Sequence, residues 1–185
     1  MRLAIGSAVL ALAVFLAYVI QEFIGPVQAL HGARVLLVPM LFCYAALSMP
    51  TWAMLLAAFY TGFVTDLTYL HIVDGRVEIA LGWSIVFFVL FGLLANGFQP
   101  AFRRGHWWLH VLLSALGTSA FLALQFVMIS FRREGFVFNE LVVWRILAPG
   151  AIAAVCSPIV HLAVVQASQF LPQDHRGLDT YLDTR

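Results

Sequence analysis

Six apolar runs follow one another along the sequence, separated by short polar turns or turns that contain Gly and Pro. A helix that crosses the hydrocarbon core of a bilayer needs about 20 apolar residues, with a usual range of roughly 17–25. All six runs reach this length or come near it. The pattern therefore predicts an all-α transmembrane bundle of about six helices, over residues 3–20, 35–49, 51–67, 79–96, 107–130 and 141–170.

Two of these predicted spans have an alternative interpretation. The second and third runs are short and turn at Met49-Pro50, so a re-entrant hairpin that leaves four true spans is the alternative. The first run follows Arg2 and precedes Val27-Gln28-Ala29, which together resemble a signal peptide with its cleavage site. Its apolar core is longer than the roughly 7–15 residues of a signal peptide. We therefore interpret it as a helix of the protein.

Composition supports a membrane protein before any motif is considered. Hydrophobic residues make up 63% of the 185 residues and charged residues only 10%, whereas a soluble domain carries about 25% charged residues. The sequence predicts one integral membrane domain over residues 1–185. The formal net charge of +1 gives no indication of nucleic-acid binding. Cys43 and Cys156 both fall inside apolar runs, which argues against a disulfide framework.

The distribution of arginines leaves the orientation in the membrane balanced. With both termini in the cytoplasm, five arginines lie inside and five outside, namely Arg2, Arg103, Arg104, Arg176 and Arg185 against Arg34, Arg76, Arg132, Arg133 and Arg145. An even number of spans returns the chain to its starting side, and Arg103 and Arg104 share a compact loop. We therefore expect both termini to be cytoplasmic.

Asp66 ends an otherwise apolar helical run, and an ionisable group at that depth is a candidate functional residue. A carboxylate at a helix C-terminus opposes the helix dipole and needs a cap or a cation. Because the runs turn back at Pro50, Arg34 and Asp66 fall at the same end of neighbouring helices. The sequence predicts that they pair. The alternative is that both lie at headgroup depth and anchor the hairpin.

Ala58, Gly62 and Asp66 recur every fourth residue and so share one helix face. This spacing of small residues lets another backbone approach closely, which favours a packing surface over a catalytic one. His110 and His161 lie in helices with no further ligand at metal-binding spacing. Ser130 lacks the Gly-x-Ser setting of an exposed nucleophile. The sequence predicts no enzyme activity, no cofactor and no metal.

Several of these residues together resemble the core of a known family. They are Arg34, Tyr44, Pro50, the run Gly62-Phe63-Val64-Thr65-Asp66-Leu67, and Leu81-Gly82. The pattern is similar to that of the rod shape-determining protein MreD family, densely over residues 34–82. The chain departs from it in having Val35-Leu36 after the arginine and a long stretch between Asp66 and Gly82.

The resemblance implies a non-enzymatic subunit of the peptidoglycan elongation complex in the bacterial inner membrane. Its partners would be an MreC-like protein, MreB, a RodA-type glycosyltransferase with its transpeptidase, and membrane lipid. The residues expected to serve structure or partner contact are Arg34, Pro50, Ala58, Gly62, Asp66 and Gly82. The family also resembles the six-helix substrate-binding subunits of vitamin transporters. That alternative needs a cavity lined by polar groups such as Gln125, His110 and His161.

Overall fold

The computed structural model describes residues 2–28, 32–69, 72–73, 76–77, 82–132, 135 and 139–169. In these residues the chain forms seven helices: α1 (Arg2–Phe23), α2 (Leu37–Ser48), α3 (Thr51–Thr68), α4 (Trp83–Gly97), α5 (Gln99–Arg103), α6 (Trp108–Arg132) and α7 (Glu140–Gln169). Two short antiparallel strands, β1 (Ile72–Val73) and β2 (Arg76–Val77), pair between α3 and α4. The predicted all-helical class is confirmed.

Each of the six longer helices overlaps one of the six predicted runs, with ends that differ by up to four residues, and only the five-residue α5 was not predicted. The fourth run was predicted to begin at residue 79, but residues 78–81 lie outside the described part of the chain and α4 begins at Trp83. Both chain ends, at residue 1 and residues 170–185, also lie outside it. Helix α7 runs through both Pro149 and Pro158.

The short helix α2 lies at the centre of the fold, since it contacts each of the other six helices. Its residues Met40, Phe42, Cys43, Ala46 and Leu47 are at most 1% exposed. Around it, α3 packs along α4 and α6 packs along α7. A 12-residue helix is about 18 Å long, which is less than the roughly 30 Å of a hydrocarbon core.

Aromatic rings and glycines fill the space between these helices. Phe42 meets Phe88 edge to face with ring centroids 5.0 Å apart, and the ring of Phe121 is tilted against that of Phe88 with centroids 5.6 Å apart. At Gly150 of α7, a Cβ would lie 3.0 Å from the carbonyl oxygen of Ala115 on α6. Such small residues let helix backbones approach closely, as in membrane helix pairs.

The surface of this bundle is apolar and several buried positions are polar. Within the described residues, Trp108–Phe131 and Glu140–Ala163 are long and apolar enough to cross a membrane, and they indicate membrane association. Large apolar side chains such as Val155 (74%) and Ile159 (66%) are exposed. Buried polar residues include Gln21, Thr61, Thr65, Asp66, Ser84, His110, Ser114, Thr118, Ser130 and Ser157.

Candidate functional site

The candidate site is the junction where the C-terminal end of α3 meets the N-terminal end of α4, and Asp66 lies at its centre. The Asp66 side chain is 5% exposed. Its Oδ2 accepts a hydrogen bond from the Gly82 N–H at 2.6 Å, and its Oδ1 accepts one from the Ser84 N–H at 3.2 Å. The first N–H groups of a helix have no partner within the helix. Asp66 therefore caps α4 from a neighbouring helix.

The electrostatics of this arrangement are favourable. The N-terminus of a helix carries a partial positive charge, which stabilises a nearby carboxylate. Gly82, the residue that precedes α4, provides no side-chain cap of its own. The carboxylate that opposes the dipole of α3 is thus compensated by the dipole of α4.

Gly62, one helical turn before Asp66, makes the junction sterically possible. A Cβ at this position would lie 2.6 Å from the backbone nitrogen of Ile85, closer than real Cβ atoms approach a backbone atom. The close backbone approach predicted for the face of Ala58, Gly62 and Asp66 therefore occurs within the chain, against α4. Ala58 is fully buried in the same core.

Gly82 turns the chain into α4 with a φ of 99°. This left-handed backbone region strains residues that carry a Cβ. The conformation directs the Gly82 N–H at Asp66. Gly62, Asp66 and Gly82 of the motif therefore form one structural unit, although they are spread over residues 62–82 of the sequence.

The predicted pair between Arg34 and Asp66 is not formed, and no ion pair joins these two described residues. The oxygens of Asp66 bind the α4 backbone instead. Arg34 is exposed and lines a small polar pocket of about 50 Å³ together with Glu22 and Tyr69. Burial raises the pKa of the Tyr69 hydroxyl above its usual value; nearby Glu22 raises it too, and Arg34 lowers it.

Polar side chains of α1 attach that helix to the same junction. Thr65 Oγ1 donates to the carbonyl oxygen of Thr61 at 2.6 Å, so the Tyr18 hydroxyl that contacts Thr65 Oγ1 is the donor in their bond. Gln21 Nε2 donates to the Tyr69 hydroxyl at 3.0 Å. These bonds fix the register of α1 against the last two turns of α3.

Both ends of α2 are satisfied by side chains from other helices. At its start, the Leu37 N–H donates to Gln21 Oε1 at 3.2 Å. At its end, the Met49 carbonyl accepts from Asn96 Nδ2 at 3.1 Å and from Gln99 Nε2 at 2.8 Å. Backbone groups inside a bilayer must find such partners within the protein.

Pro50 lies at the turn of the hairpin formed by α2 and α3, as the sequence predicts. It comes directly before α3 and has extended backbone at φ −65° and ψ 151°. Its carbonyl accepts from the Met54 N–H at 3.0 Å and so joins the first turn of α3. Thr51 Oγ1 donates to Asn96 Oδ1 at 2.9 Å, which connects the turn to α4.

His110 is a satisfied core histidine. Its Nε2 donates to the Met40 carbonyl at 3.2 Å, so its Nδ1 accepts from the Ser157 hydroxyl at 2.7 Å. Both nitrogens of the neutral His110 ring therefore have hydrogen-bond partners within the protein. His161 packs nearby, with ring centroids 6.0 Å apart.

The polar residues considered as parts of a catalytic or substrate-binding site do not lie together in one place. Ser130 is 20 residues beyond His110 on α6, about 30 Å away along the helix, while His161 packs against His110. Gln125 is 15 residues from His110, or about 22 Å. Within the described residues, no group of three or more His, Cys, Asp or Glu side chains could hold a metal ion.

Comparison with protein-family models, with curated proteins and with solved structures found no match to this chain.

The sequence analysis did not predict three residues that join the helices. Asn96 and Gln99 bind the end of α2, and Gly150 contacts α6. The available signal was the amide side chain of Asn96 at the end of an apolar run. Such a residue needs a partner inside a membrane.

Proposed function

We propose that this chain is a non-enzymatic, multi-pass subunit of the bacterial inner membrane that supports cell elongation as MreD-like proteins do. It would assemble with an MreC-like partner, and through it with MreB, a RodA-type glycosyltransferase and its transpeptidase. One observation carries the proposal. The residues that resemble the MreD motif, Gly62, Asp66 and Gly82, form a single junction between α3 and α4.

The chemistry of this junction favours a structural role for the motif. Both Asp66 oxygens accept backbone hydrogen bonds, and the residue is only 5% exposed to solvent. A general acid or base must reach the proton that it transfers. An aspartate enclosed in this way instead holds two helices in a fixed geometry, as an assembly subunit requires.

The apolar exterior supports insertion of all six longer helices in the membrane. Monomeric soluble proteins rarely expose contiguous apolar patches above a few hundred Å². Here apolar side chains are exposed on every longer helix but α2, for instance Phe15, Leu56, Leu90, Leu116 and Val155. The side-chain partners at both ends of α2 allow that short helix to end at depth in the bilayer.

The transporter alternative receives less support from the same residues. A substrate site needs polar groups that converge on a cavity. His110 spends both ring nitrogens on Met40 and Ser157, and Gln125 lies about 22 Å from it along α6. Of the three polar groups that this alternative requires, His110 is therefore engaged and Gln125 lies apart, which leaves His161 without the other two.

Depletion of the protein in a rod-shaped bacterium that encodes it tests the proposal. The cells should round up, and a tagged MreC-like protein should co-purify with the wild-type chain from native membranes. A plasmid copy carrying Thr68→Ala, an exposed change on α3, should restore the rod shape. Normal cell shape on depletion, with saturable uptake of a vitamin-like solute that depends on this chain, would instead support the transporter.

Topology is tested separately with reporters that are active only in the cytoplasm. A fusion after Arg185 and an insertion at Gly105 should both be active, because six spans return the chain to the side on which it began. An insertion at Asp74, which lies outside the described residues, should be inactive. Activity at Asp74 alone would invert the topology.

A further inference from the structure

A groove of about 560 Å³ opens between the turn that joins α5 to α6 and the C-terminal half of α7. Clefts that hold small molecules measure roughly 300–1,000 Å³, so this groove is large enough for a ligand. Its lining is almost entirely apolar, formed by Phe102, Gly105, Trp107, Pro158, His161 and Leu162.

Among the described lining residues, the one ionisable group is His161, and it has hydrogen-bonding capacity that the described part of the protein does not use. His161 packs its ring against Tyr44, Phe102 and His110, with centroids 5.7, 5.9 and 6.0 Å away. Its Nδ1 is buried and has no hydrogen-bond partner. An unsatisfied buried nitrogen is costly, so a polar group entering the groove beside this ring would be favoured.

Two arginines are next to the groove in the chain. Arg103 and Arg104 are exposed and directly precede Gly105, which lines the groove and turns the chain with a φ of 92°. Exposed His106 follows it, and residues 79–133 contain no Asp or Glu. Trp107 is 54% exposed, as expected of an aromatic residue at the membrane interface. Within the described residues, the groove therefore combines apolar walls with exposed basic residues beside one end of its lining.

We propose that this groove binds one anionic phospholipid, with an acyl chain against Trp107, Pro158 and Leu162 and the phosphate beside Arg103 and Arg104. The inference rests on the membrane insertion proposed above and is independent of the role in cell shape. Charge complementarity selects the occupant, since the cytoplasmic leaflet presents anionic headgroups to basic residues at its surface. In the proposed topology this turn faces the cytoplasm.

Native mass spectrometry of the full chain tests the site. The protein is purified in a mild detergent, delipidated, and titrated with phosphatidylglycerol or with phosphatidylcholine of the same acyl chains. We expect one phosphatidylglycerol to be retained in preference to phosphatidylcholine. Arg104→Gln should weaken its binding about fivefold, because one basic residue near the headgroups contributes about 1 kcal/mol. The matched control Arg145→Gln, at the other end of α7, should leave binding unchanged.

A second pair of variants tests the groove itself. Leu162→Trp fills the groove, whereas Leu147→Trp adds the same bulk to a similarly exposed position about 22 Å away on α7. We expect Leu162→Trp to abolish the retained phosphatidylglycerol and Leu147→Trp to preserve it. Thermal unfolding of both variants checks that the fold is intact. Should Leu162→Trp fail to fold, the Arg104→Gln comparison decides the question.

Two results would overturn the proposal. Equal retention of both lipids, or binding unaffected by Arg104→Gln and Leu162→Trp, would mean unselective contact with bulk lipid. Normal cell shape on depletion would refute the elongation role while the lipid result stands.

Discussion

Removing the Asp66 carboxylate should destabilise the protein because it leaves one buried and one part-buried N–H group without an acceptor. The Gly82 and Ser84 amides donate to Asp66 at 2.6 and 3.2 Å, and the Gly82 bond is the part-buried one. An unsatisfied buried donor costs about 1–3 kcal/mol, so Asp66→Ala should lower the free energy of unfolding by about 1–3 kcal/mol for Ser84 and by less for Gly82. Asp66→Asn keeps one carbonyl oxygen and should cost about half as much.

The interpretation of Asp66 as a cap also makes a prediction for Arg34. Because Arg34 is exposed and forms no ion pair with Asp66, Arg34→Gln should change the unfolding free energy by less than about 0.5 kcal/mol. The matched control on α3 is Thr68→Ala, which removes only an exposed bond to the Val64 carbonyl. It should likewise remain within about 0.5 kcal/mol.

Unfolding in detergent micelles can be followed with a thiol-reactive fluorogenic dye in a Cys156→Ser background, because Cys156 is partly exposed, whereas Cys43 is fully buried and becomes reactive only when the bundle opens. Hydrogen exchange at the Gly82 and Ser84 amides provides a local measurement, and protection there should be lost in Asp66→Ala. The reasoning is refuted if Arg34→Gln is as destabilising as Asp66→Ala and the double variant is no worse than either.

Two further changes test the helix contacts around this junction. Gly62→Ala should lower the unfolding free energy by about 1–3 kcal/mol, because the added Cβ overlaps the Ile85 backbone. The control is Gly97→Ala, which has open space around it and should raise the unfolding free energy by about 0.5–1 kcal/mol. Asn96→Ala should lower the thermal midpoint, because the Met49 carbonyl at the end of α2 loses one of its two side-chain donors. An unchanged midpoint would mean that Gln99 alone satisfies this carbonyl.

The sequence by itself determines the class of the protein and most of its elements. Long apolar runs with few charges leave helices as the favoured structure, since only helices satisfy their own backbone groups in an apolar medium. Pro50 favours a helix end at Met49, because the residue before a proline disfavours helical backbone, although α7 runs through Pro149 and Pro158. The spacing of Ala58, Gly62 and Asp66 also fixes that they share a face.

The tertiary structure decides what lies opposite that face. Topology brought Arg34 and Asp66 to one end of the bundle, and charge alone suggested a pair. The donors that bind Asp66 are the backbone amides of Gly82 and Ser84, which cannot be recognised from a pattern of side chains. They become available only because Gly62 lets α4 approach and Gly82 adopts a left-handed conformation.

The role of α2 likewise depends on tertiary contacts. In the sequence it is merely a short apolar run, equally consistent with a re-entrant hairpin. In the fold it contacts all six other helices, and Gln21, Asn96 and Gln99 satisfy the backbone groups at its ends. Hydrophobic burial is non-directional, so periodicity specifies which residues avoid water but not which helix covers them. Directional hydrogen bonds between distant segments make that choice.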